Sequence, residues 1–217
     1  MNERLLNTFR TGLSEFLPQV VVEPIAKFFA ENTIFLKITQ SRTSKLGDYA
    51  FPQEHNNFCH KITINNDLDQ YSFLWVLLHE MAHYQTFMKF GKNVQSHGTE
   101  WQDFYAKLIM TYKDAFPADI QELVAEFAHT LPLKKSLDKE LMERFKTYVP
   151  GYVAEEHIMV KDLKINDIFV LRGYTFQILE KRRTNYKCQR LDDKKLYIVS
   201  GNAEVKVVGE EGESCYL

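Results

Sequence analysis

Residues 71–90 contain neither glycine nor proline, and apolar side chains recur there every three to four positions. That is the spacing of a helix that buries one face. Gly91 follows where a helix C-cap is expected. Inside this run stands LLHEMAHYQ (77–85). On a helix, residues four apart are separated by about 40° around the axis and one turn along it, so His79 and His83 can aim their imidazoles at one point. Glu80 lies about 100° round from His79, poorly placed as a third ligand but able to reach a water held on a metal. Whatever the chain folds into has to pack around this helix and leave that face accessible.

A catalytic zinc takes three protein ligands and keeps one position for water. His97 comes fourteen residues after His83, which leaves room for the end of the helix and a turn through Gly91, and Gly98 beside it permits close approach. We expect Zn2+ held by His79, His83 and His97, with Glu80 as general base. Glu100 is the competing third donor, and spacing alone admits either. The metzincin pattern is excluded, because it requires glycine and histidine three and six residues after His83, where this chain has Thr86 and Lys89. The bland alternative is a pair of partly buried core histidines, with Glu80 on a solvated face.

The remaining pattern predicts an α+β chain in two parts. Helical spacing covers 3–16 and 20–31, interrupted at Pro18. Alternating runs at 33–39 and 60–65, with a turn and short strand over 41–51, predict three paired strands. A helix from about 101 to 116 is closed by Pro117, with Thr99 and Gln102 spaced as a capping box. Helical stretches at 119–129 and 136–148 precede Pro150-Gly151, the expected boundary. Beyond it DIFVLRG, YTFQILEK, YKCQRLD, KLYIVS and AEVKVV alternate as short strands. The expectation is a zincin-like helical domain with a small three-stranded sheet over 1–150, then a small all-β SH3-like module over 151–217.

Composition narrows the setting. A hydrophobic share of 45% in 217 residues provides an ample core. Cys59, Cys188 and Cys215 are odd in number and form no Cys-x-x-Cys pair, which argues against a disulfide framework or zinc ribbon and for a reducing compartment. The amphipathic N-terminus lacks the apolar centre of a signal peptide, and no run reaches the roughly 20 apolar residues of a membrane span. A cytoplasmic location without membrane partners is expected. The net charge of −2 is unevenly spread, since residues 161–208 carry 11 basic against 6 acidic side chains. Around EKRRTNYKCQR (180–190), Lys181, Arg182, Arg183, Lys187 and Arg190 flank Tyr186. Charge attracts phosphate, and an aromatic ring can stack on an unpaired base. The excess is modest, and the simpler reading is a solvated strand face.

Four separated elements occur in order: S41-R-T-S-K-L-G-D-Y49, the strand KITIN followed by Leu68, HEMAH, and S96-H-G-T-E-W101. Over roughly residues 20–115 the chain resembles the SprT-like zinc metallopeptidases, the family that includes Spartan. The resemblance implies zinc ligands His79, His83 and His97, a catalytic Glu80, and a protein or peptide substrate, including proteins associated with DNA. Trp101 stands where phenylalanine is usual. Bacterial relatives often continue into a zinc ribbon, but YKCQRL (186–191) places Leu191 at the second cysteine position. The C-terminal module is therefore expected to hold together without metal. Arg42, Tyr49 and Tyr84 are chemically capable of stabilising an oxyanion and are read first as structural. His55, His60, His129 and His157 lack ligand spacing and are read as ordinary loop or surface residues. Two other functions stay open: a zinc hydrolase acting on a non-peptide bond, and a non-catalytic nucleic-acid- or protein-binding protein whose zinc fixes the fold.

Overall fold

The computed structural model describes residues 2–32, 34–52, 59–131, 135–152 and 158–207. His55, His157 and Cys215 lie outside them. Two units are distinguished, Met1–Tyr152 and Val153–Leu217.

The first unit opens with α1 (Glu3–Leu13) and α2 (Gln19–Glu31). The first helix stops three residues before the expected end. A guanidinium fork joins the pair, with Arg10 Nε and Nη2 donating to the Glu23 carboxylate at 2.5 and 2.9 Å. Strands β1 (Ile34–Thr39), β2 (Gly47–Ala50) and β3 (His60–Asn65) follow. They form a sheet in the order β1-β3-β2, with β1 parallel and β2 antiparallel to β3. The central strand turns Ile62 and Ile64 wholly into the core.

Helix α3 (Gln70–Phe90) is the axis of this unit. The Asp69 carboxylate accepts from the backbone N–H groups of Tyr71 and Ser72, and Gly91 ends the helix at φ 71°, a conformation glycine adopts without steric cost. Phe73, Leu74, Leu77, Leu78, Met81 and Ala82 are fully inaccessible. Helices α4 (Thr99–Tyr112), α5 (Gln121–Thr130) and α6 (Lys135–Lys146) complete the unit, with a 3-10 turn at Lys113–Ala115 where the sequence predicted more α-helix. Trp75, 3% exposed, is surrounded by the rings of Tyr105, Phe116, Phe127 and Phe145. Its indole N–H donates to Asp138 of α6 at 2.9 Å.

The expected capping box at Thr99 does not form. His97 takes a left-handed φ of 59°, which brings extended Gly98 to the N-cap position and makes Thr99 the first helical residue. The Gln102 amide instead donates to the His97 carbonyl at 2.8 Å.

The second unit comprises β4 (Ile158–Met159), β5 (Ile168–Leu171), β6 (Tyr174–Lys181), β7 (Asn185–Arg190), β8 (Leu196–Ser200) and β9 (Glu204–Val207). All pairs are antiparallel, in the order β4-β9-β5-β6-β7-β8. Its own core gathers Val160, Phe169, Phe176, Ile178, Tyr186, Cys188, Val199 and Val205. Cys188 is wholly buried there and packs as a small hydrophobe. The two-residue β4 gave too short a signal to be read from sequence. Among the described residues, no helix is long and apolar enough to cross a membrane.

Candidate metal centre

His79 and His83 leave α3 from adjacent turns, and His97 meets them from the bend that precedes α4. Their Nε2 atoms form a triangle with edges of 3.0 Å (His79–His97), 3.1 Å (His83–His97) and 3.3 Å (His79–His83). Each such nitrogen carries one proton or one lone pair, so the three contacts cannot all be hydrogen bonds. A cation between them would satisfy all three. Tetrahedral zinc with bonds of 2.0–2.1 Å calls for ligand nitrogens about 3.3 Å apart, and the residues present fit that requirement. The structure gathers His97 with the pair, and Glu100 is not in the cluster.

Burial keeps the rings neutral, as ligation requires. It lowers His79 to about 3 and His83 to about 4, with mutual repulsion among the imidazoles as a second cause, and it lowers His97 as well. Trp101, 5% exposed, packs against all three, with ring centroids 4.6, 5.3 and 4.5 Å from His79, His83 and His97. Gly98 is required by the bend, because a Cβ there would stand 2.9 Å from the Gln95 carbonyl oxygen.

Glu80 is 6% exposed. Burial, then the charge of Asp48, raises its pKa to about 8, against the opposing charges of Lys45 and Arg42 and a hydrogen bond from the Tyr49 backbone N–H. A carboxyl in such surroundings holds a proton near neutrality.

A family model described as SprT-like matches residues 22–122, from within α2 to the start of α5. Residues 22–122 are a SprT-like family domain. No curated protein and no solved structure matches the chain. The matched segment of the SprT-like domain contains the triad, Glu80, Trp101 and the whole three-stranded sheet, while α6 lies beyond it.

The SprT-like domain opens over the triad as a cleft of about 500 Å³, lined by β2, by the outward face of α3 and by the turn from Gly91 to His97. Of the three residues considered for an oxyanion, Tyr49 lines it. Arg42 is engaged in holding its loop, donating to Asn65 Oδ1 at 2.9 Å and to Thr63 Oγ1 at 3.2 Å. The Tyr84 hydroxyl donates to Asn32 at 2.9 Å. His60 departs from the expectation of an ordinary residue. Its Nδ1 lies 2.8 Å from the Tyr49 hydroxyl, and its ring packs on Tyr84 and Phe87. Register decides this, since His60 shares a strand face with Ile62, the partner of Tyr49. Behind Glu80 a smaller chamber of about 240 Å³ is lined by Trp75, Val76, His79 and Glu80 of α3, by Tyr105 and by Asp138. The sequence marked Trp101 only as a variant of the family pattern. Its place four residues after His97, in the first turn of α4, was the available signal for its packing role.

Proposed function

We propose that this SprT-like domain is a zinc-dependent metallopeptidase that hydrolyses peptide bonds with Glu80 as general base. The observation that supports the reading is three neutral imidazoles converging within 3.0–3.3 Å of one another beside a buried carboxyl. His79, His83 and His97 would hold the ion. When bound, zinc supplies Lewis acidity, lowering the pKa of a water and polarising a carbonyl. The chain supplies the rest. The charge of a bound cation would favour the ionised form of Glu80 over the protonated one that burial alone sets. As a carboxylate, Glu80 takes the proton from the attacking water and delivers it to the leaving amine nitrogen, while the Tyr49 N–H holds it in place. Trp101 restrains the imidazoles, so that little reorganisation accompanies ligation. On this reading the first unit is zincin-like, the second is SH3-like, and the protein works in the cytoplasm.

DNA-associated proteins are a natural substrate class for the family resemblance, and the basic C-terminal stretch would provide the contact. Its support is charge alone. Tyr186 is 3% exposed in the core of its unit and so is not offered to a base. Arg190 is paired with Asp192 and Asp193 and lies over Tyr174. The alternative reading is a non-catalytic zinc protein that binds nucleic acid or protein. Zinc content and cleavage of an unstructured protein, compared between the natural chain and Glu80→Gln, separate the two. Retained zinc with cleavage reduced about a hundredfold or more supports the peptidase. Cleavage that is unchanged, or that neither protein shows, overturns it. Binding of the full chain to DNA should weaken as salt rises if phosphates are contacted, and a flat response removes DNA as a partner.

A further inference from the structure

The face of α3 that presents His79 and His83 continues one turn further as Phe87, since the three residues are spaced by four. Phe51, just beyond β2, stacks on Phe87 with centroids 5.0 Å apart and an interplanar angle of 17°. Tyr49 bridges this pair to the triad, its ring parallel to His83 at 6.3 Å and inclined to Phe87 at 6.4 Å. Thr86, Val94 and this aromatic row line the same cleft as the imidazoles. The Thr86 hydroxyl donates to the Ala82 carbonyl at 2.7 Å and so adds no free donor to the lining. The result is a half-buried apolar shelf that begins where the ligand cluster ends.

Resting on the metallopeptidase reading, we infer that this shelf is a specificity subsite for a bulky apolar or aromatic side chain of the residue flanking the scissile bond. One helical turn advances about 5.4 Å and an extended peptide about 3.4 Å per residue. A peptide whose carbonyl sits at the imidazole cluster therefore carries its neighbouring side chain onto Phe87 and Phe51. Continuity with the ligand face argues for this occupant. The shelf shares the turn that ligates and cannot be covered by a separate partner without closing the cleft itself. Among the described residues the charged lining, Asp48, Glu80 and Lys92, lies along β2, beside the triad and on the turn after Gly91, so a charged flanking side chain would gain nothing on the shelf and would be desolvated there.

The test uses full-length zinc-loaded protein and a peptide series varied at one position across Phe, Leu, Ala, Ser, Lys and Asp, with cleavage sites mapped by mass spectrometry. Phe and Leu peptides should be cleaved about ten- to a hundredfold more efficiently than Ala, the range expected for burying such a side chain. Phe87→Ala and Phe51→Ala should each flatten that ratio with zinc still at one per chain. Phe51 stands outside the helix, so its variant keeps the test valid if Phe87→Ala fails to fold. Binding of the Phe and Ala peptides to zinc-loaded Glu80→Gln, read by calorimetry, should show the same order. Cleavage without preference, or a preference that survives both substitutions, overturns the inference and leaves the peptidase reading standing. Absence of cleavage by the natural protein overturns the peptidase reading, and equal binding of the two peptides by Glu80→Gln then overturns the shelf as well.

Discussion

Gly47 and Glu80 touch so closely that a Cβ on Gly47 would stand 2.7 Å from Glu80 Oε1 and 2.6 Å from Val76 Cγ1. Strand β2 can lie against the helix that carries the carboxylate only because this position has no side chain. Gly47→Ala must displace the carboxylate or the strand, an overpacking cost of about 1–3 kcal/mol. We expect a lowered melting temperature and a fall of at least about tenfold in cleavage, with zinc content unchanged. Calorimetry, elemental analysis and a peptidase assay on the same preparation check it.

His97→Ala removes one vertex of the nitrogen triangle and leaves His79 and His83 in place on their helix. Zinc affinity should fall by more than about a hundredfold, since losing even an outer-shell partner costs ten- to a hundredfold. Competition with a chelator of known affinity measures it. Glu100→Gln should leave zinc affinity unchanged, because Glu100 lies outside the cluster.

Trp75 and Asp138 are 63 residues apart in sequence and joined by a 2.9 Å hydrogen bond. Asp138→Ala leaves a buried indole N–H without this acceptor, a loss of about 1–3 kcal/mol. For a unit of this size that corresponds to a fall of about 2–4 °C in melting temperature per kcal/mol. Differential scanning calorimetry should show it, together with a shift in tryptophan emission.

The metal-free protein should be most stable near pH 6.5. Glu80 titrates at about 8 when folded, against a usual 4.5, so the stability it contributes is full below 4.5 and is lost as the pH rises through 8. His79 and His83 titrate at about 3 and 4, against a usual 6.5. Their contribution is present above 6.5 and is lost as the pH falls through those lower values. Above 6.5 the carboxyl limb alone remains, with a slope of at most about 1.4 kcal/mol per pH unit. Chelator-treated Glu80→Gln should lack this alkaline limb. Denaturant melts between pH 5 and 9 would show it, and an unchanged limb in the variant would assign the loss elsewhere.

The triad was legible because helical spacing is rigid. Four residues on a helix fix the relation of His79 to His83 before any tertiary contact exists, and the turn at Gly91 limited where His97 could return. The surroundings were not legible, because they depend on register between segments distant in sequence. His60 meets Tyr49 only once β2 and β3 pair in the observed alignment. The capping box at Thr99 failed for a local reason, the left-handed turn at His97, and Thr99 shows how a motif read by spacing yields to one backbone angle. In the second unit, alternation located the strands, but it could not say which side of β7 faces inward. That choice buries Tyr186 and withdraws it from any ligand.

The staple between Trp75 and Asp138 bears on where the histidine-bearing unit ends as a physical object. The shared family segment stops at residue 122, yet Leu141 and Phe145 of α6 are wholly inaccessible in the same core as the histidine-bearing helix. Trimming the chain to the family boundary would strip an aromatic wall from that helix and orphan an indole proton beneath the carboxylate. The smallest self-sufficient piece should therefore reach at least to Tyr148, whose ring packs on Tyr71 at the opening of the helix.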